Sequence, residues 1–469
     1  MKKILIIGAG PAGLTSAFLL QSYGYKVHLY EGSRKVGGMC KSIKLWNGIV
    51  DLGPHRFFSS DPRVNSFWIK NIQNKYSMIK RQTRIFYNDS FFDYPINPVN
   101  ALFKLGFFES FVCMWDFIKI KLFPQKKKTS SFEDWVKSRF GKRLYEIFFK
   151  KYSEKLWGIS CTKLSSDFAS QRIKKLSLYE VIKNFFITTK KHATLVDEFA
   201  FPLQGTGQFY NILYKKFLKK GGKCFLGQKI KKINFKDKKL FINSNKTKYD
   251  HLISTMPLTN LVKILCNDPK VLKKTDNLKF RNTLLVYVKF RENNIFSDQW
   301  LYINSPEIKT GRITNFNNWT KSIKPKSGSI LCFEYWYHDN QDWNKLKKKN
   351  IISNVKSDIK KISLFKNCKP IAFKLIGIPK CYPIYEIGYK KNLNYVKKFL
   401  NRYKNITPIG RYGSFKYNNQ DHSILMGILA SNKIINNKKI NLWNINTNYE
   451  YQEKSYITKT GLKTFANKI

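Results

Sequence analysis

The stretch KKILIIGAGPAGLTSAFLLQSYGYKVHLYEGSRKVGGMC, residues 2–40, decides the fold of this chain. Its apolar run at residues 4–7 predicts a buried parallel strand, and apolar residues that recur at helical spacing to about Leu20 predict a helix. Between them, glycines at 8, 10 and 13 form a G-x-G-x-x-G turn, which lets the backbone approach a pyrophosphate at a helix N-terminus. The stretch therefore predicts a strand, a phosphate-binding turn and a helix.

An acidic residue completes this dinucleotide pattern. A second predicted strand, residues 26–30, ends at Glu31, eighteen residues after Gly13. A carboxylate at this place can accept hydrogen bonds from an adenosine ribose. The candidate cofactor contacts of this first part are Gly8, Gly10, Pro11, Ala12, Gly13 and Glu31.

A second glycine turn follows closely and distinguishes between cofactors. The doublet Gly37-Gly38 comes directly after the ribose acid, and the run DLGPH follows at residues 51–55. This arrangement suits a longer cofactor whose flavin end extends further into the protein, and it resembles the FAD-binding half of the amine oxidase and protoporphyrinogen oxidase superfamily. We therefore predict FAD. Further candidate contacts are Arg34, Gly38, Met39, Pro54, His55 and, against the adenine, Ile230.

Composition limits the class of protein. With 469 residues and 43% apolar side chains, the chain is expected to form two or more interleaved domains. Its eight cysteines are scattered without a C-x-x-C pair, so we expect neither a metal site nor a disulfide framework. The start of the chain lacks the apolar core of a signal peptide. Together these features predict a cytoplasmic enzyme.

The formal charge of +56 first suggests a nucleic-acid ligand. Lysine is, however, spread along the whole chain beside residues encoded by A/T-rich codons, and no nucleic-acid-binding motif accompanies it. We expect no nucleic acid but a positive field that attracts anions. Residues 101–123 are apolar and aromatic but interrupted by charges, which predicts one or two amphipathic helices in a protein core. Alternatively, this segment makes peripheral contact with the inner face of an anionic membrane.

The order of patterns along the chain predicts an α/β fold: a discontinuous Rossmann-like FAD-binding domain with a helical insertion and an antiparallel-sheet substrate domain. Residues 62–150 are expected to be mainly helical. The predicted divisions are residues 1–95, 200–265 and 379–440 for the three parts of the FAD-binding domain, 96–199 for a helical substrate or cap region, 266–378 for the substrate sheet, and 441–469 for a polar, peripheral tail.

The segment GRYGSFKYNNQDHS, residues 410–423, precedes an apolar periodic helix and offers several N-cap residues. A helix N-terminus aimed at the flavin pyrimidine edge would stabilise negative charge on a reduced isoalloxazine. The turn just upstream would bring an arginine toward the FAD pyrophosphate. The candidate contacts are Gly410, Arg411, Gln420 and Asp421.

Across most of residues 1–440 the chain resembles the UDP-galactopyranose mutase group within this superfamily more specifically than the oxidases. The resemblance depends on four stretches: GGMCKSIKLWNGIVDLGPHRFFS (37–59), KLWGISCTKLSSDFASQRI (155–173), WLYINSPEIKTGRITNFNNW (300–319) and GRYGSFKYNNQDHS. It implies a nucleotide-sugar substrate and a reduced FAD whose N5 attacks the anomeric carbon and displaces the nucleoside diphosphate. NAD(P)H could serve as the external reductant.

The resemblance also implies roles for single residues. Arg172 and Arg312 would clamp the diphosphate and sugar, and Tyr382 and Tyr417 would hold the phosphates. His55 would lie beside the flavin, and Trp157 would border the sugar or the nucleotide. Cations and phenols suit a leaving group that gains negative charge. The nucleotide, the sugar, the electron donor and the oligomeric state stay open, and so does the alternative of an FAD-dependent oxidoreductase of the amine oxidase or protoporphyrinogen oxidase type.

Overall fold

A computed structural model describes residues 2–94, 96, 98–123, 129–172, 198–236, 239–242, 245–338, 347–446, 455–458 and 461–464. Its strands are β1 Lys3–Ile7, β2 Lys26–Glu31, β3 Ser42–Leu45, β4 Gly48–Asp51, β5 Tyr76–Lys80, β6 Thr83–Tyr87, β7 Ser90–Asp93, β8 Glu198–Pro202, β9 Lys223–Leu226, β10 Ile233–Lys236, β11 Lys239–Ile242, β12 Asn245–Tyr249, β13 His251–Ser254, β14 Phe280–Phe290, β15 Trp300–Ile303, β16 Arg312–Asn315, β17 Ser329–Tyr337, β18 Pro370–Pro383, β19 Ile406–Pro408, β20 Ser455–Thr458 and β21 Gly461–Thr464.

The described helices cover the first segment, the middle of the chain and the C-terminal part. They are α1 Pro11–Ser22, α2 Pro62–Ile72, α3 Pro98–Leu105, α4 Phe107–Leu122, α5 Phe132–Phe140, α6 Lys142–Leu144, α7 Lys151–Trp157, α8 Ser166–Arg172, α9 Gly207–Lys219, α10 Leu258–Leu265, α11 Pro269–Asp276, α12 Lys348–Lys361, α13 Tyr389–Leu400, α14 Gly410–Gly413 and α15 Gln420–Ile435. A π-helical turn, Tyr145–Lys150, connects α6 to α7.

A five-stranded parallel sheet holds the first segment, in the order β19-β13-β1-β2-β9. Alternate side chains of β1 enter two different hydrophobic cores, with Ile4 and Ile6 in one and Leu5 and Ile7 in the other. Both faces of the strand are therefore buried, as expected for a parallel strand. This confirms the strand, turn and helix predicted from residues 2–40.

The first and last of the long helices pack closely on this sheet. A Cβ added to Gly427 in α15 would lie 2.7 Å from the carbonyl oxygen of Ala12 in α1. The Ser16 hydroxyl donates to the Gly427 carbonyl at 3.1 Å. Because only glycine permits this approach, the C-terminal helix is held against the first helix although more than 400 residues separate them.

A seven-stranded sheet forms the second layer, in the order β18-β14-β17-β16-β15-β6-β7, with only the β15–β6 pair parallel. Strands β6 and β7 lie within residues 1–95, so the prediction that this range belongs to the FAD-binding part is wrong for them. The mainly helical interpretation of residues 62–150 is also wrong at β5, β6 and β7. Aromatic and β-branched residues such as Ile85 and Phe86 pair as strands here because the sheet buries them.

The aromatic stretch predicted to lie in a core is largely exposed. It does form two helices, α3 and α4, but Phe107 is 91% exposed and Trp115 is 61% exposed. Only Ala101 and Cys113 among its described side chains are fully buried. Within the described ranges, no helix combines the length and apolar character needed to cross a bilayer.

The C-terminal tail is more than peripheral where it is described. Strands β20 and β21 form a hairpin in which Ile457 is 8% exposed, and Thr458 accepts a 2.6 Å hydrogen bond from the Tyr76 hydroxyl. All eight cysteines lie in described segments and are free thiols.

Candidate active site

The turn after β1 forms a cradle made of backbone. Gly8 has φ +95°, and a Cβ added to Gly13 would lie 1.9 Å from the Gly8 carbonyl oxygen. The helix that follows begins with Pro11, and no side chain caps its N-cap residue, Gly10. Its first N–H groups and its dipole therefore point toward the space in front of the turn, where they favour a negatively charged group.

Two further glycines close around the same point. A Cβ on Gly38, which has φ +55°, would lie 2.9 Å from Gly10 Cα, and a Cβ on Gly410 would lie 3.1 Å from Ala12 Cβ. Three segments that are far apart in sequence thus approach one helix end through bare backbone. A side chain at any of these positions would collide with the neighbouring segment, so glycine lets the segments meet at a helix N-terminus that suits a pyrophosphate group.

Glu31 stands at the end of β2, as predicted. Its carboxylate accepts hydrogen bonds from the backbone N–H groups of Ala9 at 2.7 Å and Ser33 at 2.8 Å. These bonds fix the turn and the carboxylate relative to each other. Each carboxylate oxygen has a second lone pair, which can accept a ribose hydroxyl.

The remaining predicted contacts of this half differ in exposure. Arg34 is exposed near the Gly227 turn, whereas Ile230 is 7% exposed and packs in the core beside the sheet. Met39 and Pro54 are half-buried in the loops after β2 and β4. The contacts of all four with a cofactor remain predictions.

His55 is held as a neutral imidazole. Its Nε2 lies 3.0 Å from the Leu52 carbonyl oxygen, which can only accept, so Nε2 carries the hydrogen. Burial lowers the pKa of His55 from 6.5 to about 4, and the charges of Arg312 and Arg411 act in the same direction. The Nδ1 lone pair is then available as an acceptor at neutral pH.

The loop that carries His55 is anchored by a buried carboxylate. Asp51 accepts from the Ser42 hydroxyl and from the backbone N–H of Thr206, and the Thr206 hydroxyl donates to the His55 carbonyl at 2.7 Å. Burial raises the pKa of Asp51 to about 6, although these hydrogen bonds oppose the shift. The Thr206 turn at the start of α9 thus positions the His55 loop.

The start of α15 meets the same loop. The Gln420 side-chain amide donates to the Arg56 carbonyl at 2.8 Å, and its oxygen accepts from the Tyr210 hydroxyl at 3.0 Å. Asp421 is 5% exposed beside His422. The helix begins at Gln420, as the N-cap cluster predicted, and its N-terminus lies next to His55.

Arg312 lies close to His55. Its Nε and Nη2 donate to the two carboxylate oxygens of Glu334 at 2.8 and 2.6 Å across the β16–β17 ladder. A Cβ placed on Gly53 would lie 3.9 Å from Arg312 Nη2 and 3.8 Å from His55 Nε2, so both side chains reach one point. Burial alone would lower the pKa of Arg312, but the Glu334 charge raises it, which keeps the guanidinium ionised.

Four aromatic side chains pack against one another beside this arginine. The rings of Tyr382 and Tyr417 are 5.3 Å apart, and Trp157 lies 6.0 and 5.9 Å from them. Phe168 packs on Trp157 at 4.7 Å. Trp157 is fully buried, and its indole Nε1 has no acceptor among the described residues. We call Arg312, Trp157, Phe168, Tyr382 and Tyr417 the chamber below.

Arg411, which was predicted to lie at the FAD pyrophosphate, contacts two aromatic rings of the chamber. Its guanidinium lies 4.7 Å from the Tyr382 ring centre and 4.4 Å from that of Tyr417. Its Nε and Nη1 donate to the carbonyls of Cys381 and Asn418 at 2.9 and 3.0 Å. Two of its donor groups are therefore used by the protein, and its contact with a pyrophosphate remains a prediction.

Helix α7, which ends at Trp157, is held by two buried cations. The Lys155 ammonium donates to four carbonyls, those of Ile303, Ser305, Ile308 and Thr310, and burial lowers its pKa to about 8. Arg281 donates to the Leu156 carbonyl at 3.1 Å and to the Trp336 carbonyl at 2.9 Å. These bonds connect the helix end to the seven-stranded sheet and orient Trp157.

The second predicted arginine, Arg172, lies at the end of a short helix. Arg172 is the last residue of α8, and its side chain lies outside the described residues. Helix α8 also carries Phe168, so its backbone borders the chamber. The convergence of Arg172 with Arg312 stays a prediction.

The sequence interpretation missed Glu334, Phe168 and Tyr152. Glu334 is the only acid in the apolar strand β17, a signal for a buried carboxylate that needs a partner. Phe168 lies in the stretch 155–173 that carries the family resemblance, but the resemblance implies no role for it. Tyr152 packs edge-on against Tyr302 and Trp336 near Arg312, and a tyrosine-rich sequence offers no local sign of that position.

Two solved structures share this architecture over nearly the whole chain. A crystal structure of reduced UDP-galactopyranose mutase superposes with a TM-score of 0.84 at 22% identity, covering 96% of this chain and 98% of that one. A putative protoporphyrinogen oxidase from Exiguobacterium sp. 255-15 superposes with a TM-score of 0.72 at 16% identity, covering 93% and 99%. At these identities the likeness shows the fold.

Curated relatives match parts of the sequence. A dTDP-fucopyranose mutase of Escherichia coli is 30% identical over 34% of this chain and 42% of its own length. A probable UDP-galactopyranose mutase of Klebsiella pneumoniae is 30% identical over 35% and 43%. An L-amino-acid oxidase of Crotalus adamanteus is 27% identical over 21% and 22%. The chain thus spans less than half the length of each of these relatives.

The family model for flavin containing amine oxidoreductases matches residues 11–373. That range begins at the cradle and includes the His55 loop, both residues of the Arg312–Glu334 ion pair and most of the seven-stranded sheet. The chain therefore belongs to the flavin-containing amine oxidoreductase family.

Proposed function

We propose that this protein is an FAD-dependent nucleotide-sugar pyranose/furanose mutase of the UDP-galactopyranose mutase type, which supplies furanose units for surface polysaccharide. The observation that carries the proposal is the chamber: a guanidinium fixed by Glu334 and two phenols beside the neutral His55. This set suits a diphosphate more than an apolar or cationic substrate. The mutases of E. coli and K. pneumoniae add support through their partial similarity.

FAD would lie with its pyrophosphate in the cradle and its flavin between His55 and the start of α15. Gly8, Gly38 and Gly410 let the segments around the cradle pack together, and Glu31 would accept from the ribose. When bound and reduced, the flavin supplies a nucleophilic nitrogen next to the chamber. We further propose that NAD(P)H or another external donor provides the electrons.

Arg312 would donate to the leaving diphosphate. Glu334 occupies its Nε and Nη2, and no described residue accepts from Nη1, which can donate to a phosphate oxygen. The carboxylate fixes the plane of the guanidinium, so its reorientation does not oppose the reaction. The hydroxyls of Tyr382 and Tyr417 would also donate to the diphosphate. The hydrogen bonds from Arg312 and from the two tyrosines would strengthen as the leaving group gains negative charge.

His55 and Trp157 would serve the sugar end. A neutral His55 accepts through Nδ1 without adding positive charge next to the flavin. The buried Nε1 of Trp157 lacks an acceptor among the described residues, and a sugar hydroxyl would supply one. Closely packed rings around it exclude water from the point of reaction.

A second candidate is an FAD-dependent oxidoreductase of the amine oxidase or protoporphyrinogen oxidase type. The family match and the similarity to an L-amino-acid oxidase favour it. Arg312 and Arg411, however, bring two guanidinium groups close to the aromatic rings, where a protonated amine would be repelled. The oxidase function is therefore the less favoured proposal.

The decisive experiment incubates the FAD-loaded protein, reduced with dithionite under anaerobic conditions, with UDP-galactopyranose and with dTDP-fucopyranose, followed by chromatography. We expect a furanose product from one of them and none from the oxidised protein. Parallel assays follow peroxide production from amines and L-amino acids. The oxidoreductase would replace the mutase proposal if the reduced protein converted no nucleotide sugar while the oxidised, FAD-loaded protein, in the presence of oxygen, oxidised an amine or amino acid.

A further inference from the structure

Helices α3 and α4 present a continuous apolar surface that the chain itself leaves uncovered. Phe107 is 91% exposed, Phe103 is 85% exposed and Phe108 is 75% exposed, although large aromatic side chains are normally buried. We define the aromatic face as Phe103, Phe107, Phe108, Phe111, Met114, Trp115, Ile118, Leu122 and Phe123, each at least 43% exposed. Surfaces of this kind mark interaction sites.

The face is built into a folded support. On α4 its members recur at helical spacing along one side, while Cys113 on the opposite side is 1% exposed. Cys113 and Ala101 of α3 pack in a small core with Ile147 and Phe148 of the π-helical turn. The two helices therefore have a buried side that holds them, and the aromatic face is their outward side.

The acids of α4 are turned away from the aromatic face. The Glu109 carboxylate accepts two hydrogen bonds from the Arg143 guanidinium, at 2.7 and 2.6 Å. Asp116 accepts from the backbone N–H of Arg143 at 2.8 Å. Both carboxylates thus serve the contact between α4 and α6, and the outward side is left without negative charge of its own.

Lysines border the aromatic face. Lys104, Lys119 and Lys121 are exposed on the same two helices, and the sequence continues with three further lysines at 126–128. Helices that lie in the interface of anionic membranes typically combine phenylalanine, tryptophan and leucine on one face with neighbouring lysines. Lysine stems can extend over the apolar region while their ammonium groups reach phosphate oxygens.

We propose that the aromatic face docks on the surface of an anionic lipid bilayer, with α3 and α4 lying in the headgroup region. The charge of the protein favours this occupant over a second copy of the chain. Two molecules of formal charge +56 repel each other, whereas a negative bilayer attracts each of them. The proposal concerns a surface outside the chamber, so it does not depend on the function proposed above.

The test is cosedimentation of the FAD-loaded, full-length protein with vesicles. Vesicles of an equal mixture of phosphatidylcholine and phosphatidylglycerol should bind it, pure phosphatidylcholine should bind it at least about tenfold more weakly, and high salt should release it. The triple variant Phe107→Ser/Phe111→Ser/Trp115→Ser should lose about a hundredfold in partitioning, because three exposed aromatic side chains no longer enter the interface.

Two matched variants control for general effects. Tyr23→Ser/Ile371→Ser/Tyr395→Ser removes three exposed apolar side chains elsewhere and should bind vesicles like the wild type. Lys119→Gln/Lys121→Gln should weaken binding to anionic vesicles, whereas Lys348→Gln/Lys349→Gln on α12 should not.

Three outcomes would overturn the proposal. The wild type could fail to bind anionic vesicles, or the aromatic triple variant could bind them as tightly as the control triple variant. Light scattering could instead show a wild-type dimer that the aromatic triple variant converts to a monomer, which would assign the face to a second copy. FAD content and thermal unfolding of each variant verify that all compared proteins are folded.

Discussion

The cradle and the chamber are constructed in opposite ways. The cradle is made of backbone, and its glycines matter because an added Cβ would collide with the backbone of a neighbouring residue, as at Gly13 and Gly38. The chamber is made of side chains, whose positions depend on partners such as Glu334 for Arg312. A cofactor site of the first kind can be recognised from a short motif, whereas a substrate site of the second kind depends on strands and helices far apart in the chain.

This difference changes how substitutions must be interpreted. In the cradle, backbone groups form the site, so a substitution there acts mainly through the space that an added Cβ takes up. Exchanging a chamber residue disturbs both the site and the packing, since Arg312 neutralises a Glu334 side chain that is only 1% exposed. Because of this buried ion pair, we expect a substitution of Arg312 to lower stability as well as to affect the substrate.

The largest effect is expected for Arg312→Met. The substitution leaves the buried Glu334 carboxylate without its partner and should lower the free energy of unfolding by about 3–5 kcal/mol. Turnover per folded molecule should also fall, because the leaving diphosphate loses a charge-assisted contact. Denaturant unfolding followed by the anaerobic assay measures both quantities.

Arg84→Met is the matched control for that variant. Arg84 pairs with Asp298 at 2.6 Å in the same sheet, and Asp298 is fully buried, but the pair lies outside the chamber. This variant should lose stability and keep its turnover per folded molecule. Equal loss of turnover in both variants would show that Arg312 acts through folding alone.

A smaller loss is expected for Gly13→Ala in the cradle. The added Cβ would lie 1.9 Å from the Gly8 carbonyl oxygen, so the turn must distort. We expect this distortion to lower the free energy of unfolding by about 3 kcal/mol or less. FAD should be lost from the purified protein because the distortion falls on the pyrophosphate position. Absorbance of the bound flavin after gel filtration measures this.

Gly32→Ala provides the comparison for the cradle. A Cβ at Gly32 would meet only the flexible Lys229 side chain, at 3.3 Å, so FAD content should stay at the wild-type level. If Gly13→Ala also retained its FAD fully, the backbone would not be the determinant of cofactor binding that the comparison assumes.

The smallest effect concerns pH. The pKa of His55 is lowered from 6.5 to about 4, so the folded protein keeps this imidazole neutral while the unfolded chain takes up a proton below about pH 6.5. Stability should therefore fall as the pH drops from about 6.5 toward 4, by about 2 kcal/mol for this group at about pH 5. His55→Gln should remove that part of the pH dependence.

His251→Gln separates stability from function in this test. Burial also lowers the pKa of His251 to about 4, and its Nε2 lies 2.8 Å from the Thr407 hydroxyl, between two strands of the parallel sheet. Both variants should show a weaker loss of stability on acidification, but only His55→Gln should change turnover. A pH dependence unchanged in His55→Gln would mean that the pKa of this imidazole is not lowered in the folded protein relative to the unfolded chain.

Local patterns were sufficient wherever neighbouring residues determine the structure. The strand, glycine turn, helix and acid of residues 2–40 form as predicted, and so does the start of α15, because hydrophobic periodicity and N-cap chemistry act within a few residues. The same patterns led to errors for residues 83–93 and for α3 and α4. Apolar residues there satisfied the local pattern of a helix or of a core, while pairing and burial depend on distant segments.

The sequence by itself therefore determined the parallel sheet, the cradle and the expectation of a flavin. Only the tertiary structure decided that Glu334 fixes Arg312, that the Arg411 guanidinium lies against the rings of both Tyr382 and Tyr417, and that the aromatic face points outward. The physical reason is range. Backbone conformation and amphipathic spacing are set by adjacent residues, whereas ion pairs, ring stacking and burial arise between segments that meet only when the whole chain has folded.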